Sequence, residues 1–204
     1  RNVMNRVQCF ALMLVAVLTA SPAQAGESPA TPAGETIAII GTGHMGSTLG
    51  KRWAAVGHTI IYGSRDPQRA VVRELVAATG DTATATMPAD AAKRADIVVI
   101  AVPWDGVRDS VKSLGDLAGK IVIDVTNPLT FAGGHDAEVP VPHSGAELIQ
   151  DWLPGARVVK AFNALSSSTI NEPSRAGGPV TVALASDDAH AKERVARLVA
   201  QLGL

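Results

Sequence analysis

One glycine-rich segment limits the folds open to this chain more than any other feature of its 204 residues. The segment is Gly41-Thr42-Gly43-His44-Met45-Gly46, which follows the aliphatic run 37–40 and opens a stretch of helical spacing. Three glycines with this spacing are weak evidence alone, but a strand before and a helix after them is the context that dinucleotide binding requires. Gly41 permits the tight turn, Gly43 lets the backbone approach a pyrophosphate, and Gly46 lets the helix pack closely on the sheet. The helix N-terminus would supply amide donors and the positive end of its dipole.

Short apolar runs alternate with longer stretches of helical spacing along the rest of the sequence. The predicted strands span residues 37–40, 59–62, 82–86, 97–102, 121–125, 157–162 and 180–185. The predicted helices span residues 45–56, 66–78, 89–94, 106–114, 144–152 and 187–202. Nearly continuous aliphatic strands are typical of strands that are buried on both faces. The pattern predicts an α/β fold, with a doubly wound and mainly parallel sheet that carries helices on both faces.

The end of the second predicted strand indicates which dinucleotide would bind. An NAD enzyme places an acidic residue about 20 residues beyond the glycines, where it accepts from the ribose 2′-hydroxyl. Here Ser64 and Arg65 occupy that region, with Arg69 one helical turn later. A hydroxyl and a bidentate guanidinium suit a 2′-phosphate, so the sequence favours NADP. Asp66 could instead serve as the acid for NAD, but its position before a proline favours the N-cap of helix 66–78.

The first 25 residues have the features of a secretory signal peptide. Two arginines precede an apolar run at 7–20, and small residues follow it up to Ala23-Gln24-Ala25. The run is shorter than the roughly 20 residues that a membrane-spanning helix needs, and a buried N-terminal helix is the alternative interpretation. We therefore predict a signal peptide at 1–25, a flexible linker at 26–35 and the dinucleotide-binding domain at 36–204. The protein would be periplasmic or secreted, or cytoplasmic if the start is misassigned.

Composition excludes several classes of protein. A hydrophobic share of 47% argues against intrinsic disorder, and a formal net charge of -1 argues against a nucleic-acid partner. The single cysteine, Cys9, excludes an internal disulfide framework and a multi-cysteine metal site. His135, Asp136 and His143 lack short metal-ligand spacing and lie in a stretch that predicts an ordinary polar loop. We predict no metal site.

Five segments together carry a resemblance to known proteins. They are Ile39-Ile40-Gly41-Thr42-Gly43-His44-Met45-Gly46, Gly63-Ser64-Arg65, Ala101-Val102-Pro103-Trp104, Asp124-Val125-Thr126-Asn127-Pro128-Leu129 and Lys160-Ala161-Phe162-Asn163. As a set they resemble the NADP oxidoreductases that use the deazaflavin coenzyme F-420. They are equally similar to the cytosolic reductase domain of the six-transmembrane epithelial antigen ferrireductases, which the run 153–163 resembles especially. The resemblance extends from about residue 36 to the C-terminus.

The resemblance implies a Rossmann-type domain that binds NADP, and it assigns roles to particular residues. It places the pyrophosphate and the adjoining ribose at Thr42, Gly43, His44 and Met45. It places the 2′-phosphate at Ser64, Arg65 and Arg69, and the nicotinamide ribose and ring at Val102, Pro103 and Trp104. Ala161 would lie by the carboxamide, with Phe162 and Asn163 near the second cofactor.

Some residues of these segments have an alternative interpretation, and one departs from the family pattern. Trp104 could simply cap the core, and Asn127-Pro128 could form only a turn after the fifth strand. His44 is predicted to be a helix-entry residue rather than a catalytic group. Asn163 stands where deazaflavin-using relatives often have histidine, which weakens the case for that coenzyme.

The activity that the resemblance implies is hydride transfer between NADPH and a flavin or deazaflavin. Direct transfer between two stacked rings depends on positioning, so we predict no catalytic side chain. The alternatives are a non-catalytic NADP-binding module, which a shortened C-terminus would favour, and a reductase of another small substrate. Relatives suggest a homodimer, and they continue beyond the position of Leu204 into a segment that shapes the second-cofactor site. We therefore expect a C-terminally truncated domain or a reduced substrate site.

Overall fold

The computed structural model describes residues 34–131, 137–138 and 143–204. Its strands are β1 (Thr36–Ile40), β2 (Thr59–Gly63), β3 (Ala83–Thr86), β4 (Ile97–Ile100), β5 (Ile121–Asp124), β6 (Thr130–Phe131), β7 (Ala137–Glu138) and β8 (Arg157–Lys160). Its helices are α1 (His44–Ala55), α2 (Ala70–Thr79), α3 (Pro88–Arg94), α4 (Val107–Lys112), α5 (Gly145–Trp152), α6 (Ser167–Asn171) and α7 (Ala189–Ala200). The predicted signal peptide and most of the predicted linker lie outside the described residues, as do His135 and Asp136.

Six strands form one sheet in the order β3-β2-β1-β4-β5-β8, and every pair in it is parallel. The chain builds outward from β1 in one direction through β3, then returns to add β4, β5 and β8 on the other side. This order confirms the predicted doubly wound fold. It also creates a topological switch point between β1 and β4, and ligands of such folds bind beyond the carboxyl ends of the strands there.

Alternate residues of each central strand enter two different hydrophobic cores. In β1, Ile37 and Ile39 pack into one core, while Ala38 and Ile40 pack into the other. Helices α1, α2, α6 and α7 cover the first core, and α3, α4 and α5 cover the second. Because both faces of the strands are buried, their sequences are continuously aliphatic. The helices on both faces confirm the predicted layers.

The predicted start of α2 was wrong. Asp66 does not cap the helix: its Oδ1 accepts the N–H of Gln68 at 3.1 Å, which closes a local turn. The helix begins only at Ala70, after Arg69 at its N-cap position. An aspartate side chain can accept a backbone N–H in a turn as well as at a helix N-terminus. The Asp66-Pro67 dipeptide therefore does not distinguish a turn from a helix start.

The predicted strand 180–185 was also wrong. Within the part of the chain that the structure describes, this segment pairs with β8 only through one antiparallel bridge between Lys160 and Ala185. Val182 and Leu184 nevertheless pack against the first core. The alternating apolar pattern therefore indicates which side chains face the core, although the segment forms no ladder of hydrogen bonds with β8. The loop predicted after β5 contains a two-stranded antiparallel pairing of β6 with β7. No helix within the described ranges is long and apolar enough to cross a membrane.

The last residue of the predicted linker is fixed to the domain. The Glu35 carboxylate lies 2.7 Å from Nη2 of Arg194 on α7, and the Glu35 N–H donates to Nδ1 of His58 at 3.0 Å. The hydrogen bond to Glu35 raises the pKa of Arg194. These contacts stand at the amino ends of the strands, opposite the switch-point crevice.

Asp188 is expected to make the free energy of unfolding depend on pH in the acidic range. Its Oδ1 accepts the N–H of Ala191 at 2.8 Å and so caps α7, while Oδ2 lies 3.4 Å from Nε of Arg157. The hydrogen bond from Ala191 and the nearby positive charge of Arg157 lower the pKa of Asp188. Because the folded-state pKa lies below the unfolded value, the stabilisation is present above about pH 4 and is lost as the pH falls through the folded-state pKa.

The variant Asp188→Asn separates the charge from the cap. Asparagine is as good a helix N-cap as aspartate, but it does not titrate. The free energy of unfolding should therefore fall less steeply on acidification in the variant than in the parent protein. Urea titrations between about pH 5 and pH 2 measure this slope. The same acid dependence in both proteins would contradict the assignment.

Candidate functional site

A cavity of about 1010 Å³ lies at the switch point, beyond the carboxyl ends of β1, β2, β4 and β5. It is lined by most of the predicted site residues: Gly41, Thr42, Gly43, His44, Met45, Ser64, Arg65, Arg69, Val102, Pro103 and Trp104. The structure therefore brings three predicted segments, which are far apart along the chain, to one cavity. Gly46, Ala161 and Asn163 do not line the cavity.

The three glycines of the loop have three different surroundings. Gly41 has a φ of +111°, and a Cβ there would lie 2.3 Å from the carbonyl oxygen of Ala101 on the neighbouring chain segment. A Cβ on Gly46 would lie 2.1 Å from the carbonyl oxygen of Gly41, so Gly46 serves the packing of α1 and does not border the cavity. A Cβ on Gly43 would meet nothing within 4 Å. Gly43 thus leaves open space at the N-terminus of α1.

Substitutions at two of these glycines should differ in their effect on stability. Gly46→Ala forces a methyl group against a backbone carbonyl, so we expect the free energy of unfolding to fall by roughly 1–3 kcal/mol. Gly43→Ser places its side chain in open space at an N-cap position that favours serine, so the free energy should stay within about 0.5 kcal/mol or rise. Urea denaturation measures both variants. Equal destabilisation would show that the loop geometry described here is wrong.

The N-terminus of α1 faces the cavity with its first-turn amides. No described side chain caps this helix; Gly43 occupies the N-cap, and the first intrahelical bond runs from the N–H of Ser47 to the Gly43 carbonyl at 2.9 Å. The uncapped amides and the helix dipole favour an anion. His44 is the first residue of α1, as the helix-entry interpretation predicts, and it is exposed at the cavity.

The end of the cavity beyond β2 has two arginines. Arg65 and Arg69 are both exposed, and neither forms an ion pair with a carboxylate among the residues that the structure describes. Ser64 is half-buried beside them, and its Oγ donates to the Asp66 carbonyl at 3.0 Å. Asp66 also borders the cavity, so this end carries two positive charges and one negative charge. The excess positive charge favours a ligand that is anionic here.

Trp104 both borders the cavity and packs against the protein. Its ring centroid lies 6.2 Å from that of Trp152, with the planes tilted by 34°. A Cβ on Gly145, the first residue of α5, would lie 3.1 Å from the Trp104 ring. Trp104 therefore covers the edge of the core, as the alternative interpretation predicts, and it also forms part of the cavity wall.

Two walls of the cavity contain residues that the sequence did not assign to the site. On one wall, Asp109, Ser110 and Ser113 follow β4 at helical spacing, a signal that could have found them. On the other, Val125, Thr126 and Asn127 follow β5, so Asn127 forms part of the site as well as a turn.

Ala161 and Asn163 lie behind this second wall. The resemblance places Ala161 by the carboxamide; in the structure its side chain is fully buried in the first core and does not line the cavity. Its N–H donates to the Asp124 carbonyl at 3.1 Å. The Asn163 carbonyl accepts from Nδ2 of Asn127 at 2.9 Å, which places Asn163 one contact away from the cavity.

A parallel sheet whose order reverses beside a glycine loop, with a large cavity at that point, defines a dinucleotide-binding protein of the Rossmann type. The profile of the family described as NADP oxidoreductase, coenzyme F420-dependent, matches residues 36–128. The F420-dependent NADP reductase of Methanothermobacter thermautotrophicus is 33% identical over 180 residues, covering 81% of this chain and 76% of that protein. Metalloreductase STEAP3 of Rattus norvegicus is 29% identical over 168 residues, covering 82% of this chain and 32% of that protein.

A solved structure from Arthrobacter sp. FB24, described as a proposed F420-dependent NADP reductase, is also similar. It has 36% sequence identity and a TM-score of 0.77, over 83% of this chain and 81% of that one. The chain thus belongs to the coenzyme F420-dependent family of NADP oxidoreductases. The family that the sequence resembles is confirmed. The chain spans about a third of the length of the rat metalloreductase and about three quarters of the archaeal reductase.

Proposed function

We propose that this protein transfers hydride between NADPH and a flavin or deazaflavin acceptor. The observation that carries the proposal is one cavity that joins the arginine end, the glycine loop and the wall formed by residues 125–127. Its volume of about 1010 Å³ stands at the upper end of the roughly 300–1,000 Å³ typical of ligand pockets. Such a site suits a ligand as extended as a dinucleotide.

The arginine end is the proposed site of the 2′-phosphate. Arg65 and Arg69 can donate charge-assisted hydrogen bonds from exposed positions, and the Ser64 hydroxyl can add a neutral one by turning away from the Asp66 carbonyl. The amides at the N-terminus of α1 would hold the pyrophosphate, since Gly43 leaves space for it.

The opposite end is the proposed site of the nicotinamide. There Val102, Pro103 and Trp104 after β4 and the 125–127 wall after the neighbouring strand β5 both line the cavity, and Asn127 is exposed to solvent. An acceptor would approach from this exposed side, near Asn127 and Asn163. Hydride from NADPH and one proton from solvent would reduce the acceptor and leave NADP⁺. The residues would contribute by holding two rings in contact, which accounts for much of the rate in such reactions.

A reductase activity is supported by two groups of relatives, and a deazaflavin acceptor by one of them. Proteins similar to this chain include F420-dependent NADP reductases of methanogens and mammalian metalloreductases. Their names differ in the acceptor and agree in reduction chemistry.

The decisive experiment follows isotope and electrons together. The purified chain is mixed with NADPH carrying deuterium on one or the other face of nicotinamide C4, and with FMN, FAD or coenzyme F420. We expect loss of reduced nicotinamide only when an acceptor is present, with deuterium from one face recovered at C5 of the deazaflavin if that is the acceptor. Binding of NADPH without reduction of any acceptor would overturn the proposal and would favour a non-catalytic NADP-binding module.

A further inference from the structure

A buried ion pair lies directly behind the 125–127 wall of the cavity. The Asp124 carboxylate is fully buried at the end of β5, and its Oδ2 lies 2.8 Å from Nζ of Lys160 at the end of β8. The Lys160 side chain is 16% exposed. The two residues are paired across the parallel strands, so the sheet register itself brings them together.

The polar atoms of this pair are used to hold Thr126. Oδ1 of Asp124 accepts both the Thr126 N–H, at 2.8 Å, and the Thr126 hydroxyl, at 2.7 Å. Nζ of Lys160 donates to the Thr126 carbonyl. One residue of the cavity wall is therefore held at its amide, its hydroxyl and its carbonyl by a single ion pair.

A second contact holds the next residue of the same wall. Nδ2 of Asn127 donates to the Asn163 carbonyl at 2.9 Å. Between Lys160 and Asn163 the chain turns sharply, because Phe162 has a φ of +61°, rare for a residue other than glycine. The Phe162 ring packs edge-on against Trp53 with centroids 5.9 Å apart, which anchors this turn in the core.

Stability alone is a poor explanation for this arrangement. Burying two charges has a large desolvation cost, and apolar replacements of a whole buried pair are often neutral or stabilising. The wall that the pair holds borders the proposed nicotinamide end, and it stands away from Arg65 and Arg69. We propose that Lys160 and Asp124 are positioning residues that set the 125–127 wall for binding the nicotinamide half of the dinucleotide. This inference rests on the proposed function.

The test compares a whole ligand with half of it. NADPH reaches both ends of the proposed site, whereas 2′,5′-ADP carries only the adenosine with its 2′- and 5′-phosphates and lacks the nicotinamide half. Calorimetry with both ligands is made on the parent chain, on Lys160→Met and on the double variant Asp124→Asn/Lys160→Met, which leaves no unpaired buried charge. Lys120→Met is the matched control, since its Nζ also donates to two carbonyls but at the opposite end of β5.

We expect both Lys160 variants to bind NADPH roughly tenfold more weakly and 2′,5′-ADP within about twofold of the parent. The control should bind both ligands as the parent does. Equal weakening of both ligands, unchanged binding of both, or loss of folding in both Lys160 variants would overturn the positioning role. Failure of the parent chain to bind either ligand is a different result: it overturns the proposed dinucleotide site, and this inference with it.

Discussion

Arg65→Ala is expected to weaken NADPH binding by roughly 1–3 kcal/mol and to leave NADH binding unchanged. Arg65 stands exposed at the cavity end beyond β2, so its guanidinium can close on a 2′-phosphate with two parallel hydrogen bonds. NADH lacks that phosphate and loses nothing when the arginine is removed. Calorimetric titration of both dinucleotides against the parent and the variant measures the difference.

Two further variants separate charge from geometry. Arg73→Ala removes an exposed arginine from α2, outside the cavity lining, and should leave both affinities unchanged. Arg65→Lys keeps the charge but loses the bidentate fork, so its NADPH affinity should lie between those of the parent and the alanine variant. If Arg65→Ala weakened NADH and NADPH equally, Arg65 would be acting on something other than the 2′-phosphate.

Trp53→Ala should lower the free energy of unfolding by about 3–5 kcal/mol. The Trp53 side chain is fully buried on α1, packs edge-on against Phe162, and donates from Nε1 to the Leu198 carbonyl at 3.1 Å. The substitution removes the largest side chain of the first core and leaves a cavity in its place. It also removes the indole N–H that donates to the Leu198 carbonyl. Urea or thermal denaturation measures the loss.

The matched variants for this second result vary size and exposure. Trp53→Phe keeps most of the buried ring but not the hydrogen bond, so it should be destabilised less than the alanine variant. Val71→Ala truncates an exposed side chain on α2 and should change the free energy by no more than about 0.5 kcal/mol. A loss below about 1 kcal/mol in Trp53→Ala would contradict the packing described here.

The sequence predicted the fold, and it singled out three segments that the structure brings to one cavity, because both depend on local signals. Alternation of aliphatic strands with helices determined the layers, and glycine spacing after β1 located the loop. The start of α2 was predicted wrongly because Asp66 satisfies a turn instead of a helix end. The segment 180–185 was predicted as a strand because alternation reports which side chains face the core and does not report hydrogen-bond pairing. The signal peptide at 1–25 and the homodimer stay predictions.

The ion pair behind the cavity had no comparable signal. Asp124 and Lys160 are 36 residues apart, and only the register of β5 with β8 makes them neighbours. The resemblance places Ala161 by the carboxamide, but its side chain lies in the first core, on the same side of the sheet as Val159 two residues earlier. Contacts that depend on the register of two strands are not encoded in residue spacing.

The three tryptophans of this chain lie in two different surroundings, so their fluorescence can report two different events. Trp53 is sealed in the core, so its emission should shift only when the protein unfolds. Trp104 borders the cavity with Trp152 packed against it, so a reduced nicotinamide nearby would quench their emission by energy transfer. Trp53→Phe would leave the emission of this pair, which should respond to an occupant of the cavity. Trp104→Phe with Trp152→Phe would leave the emission of the core tryptophan, which should respond to unfolding. Intrinsic fluorescence of two variants can then follow ligand binding and unfolding, without an added dye.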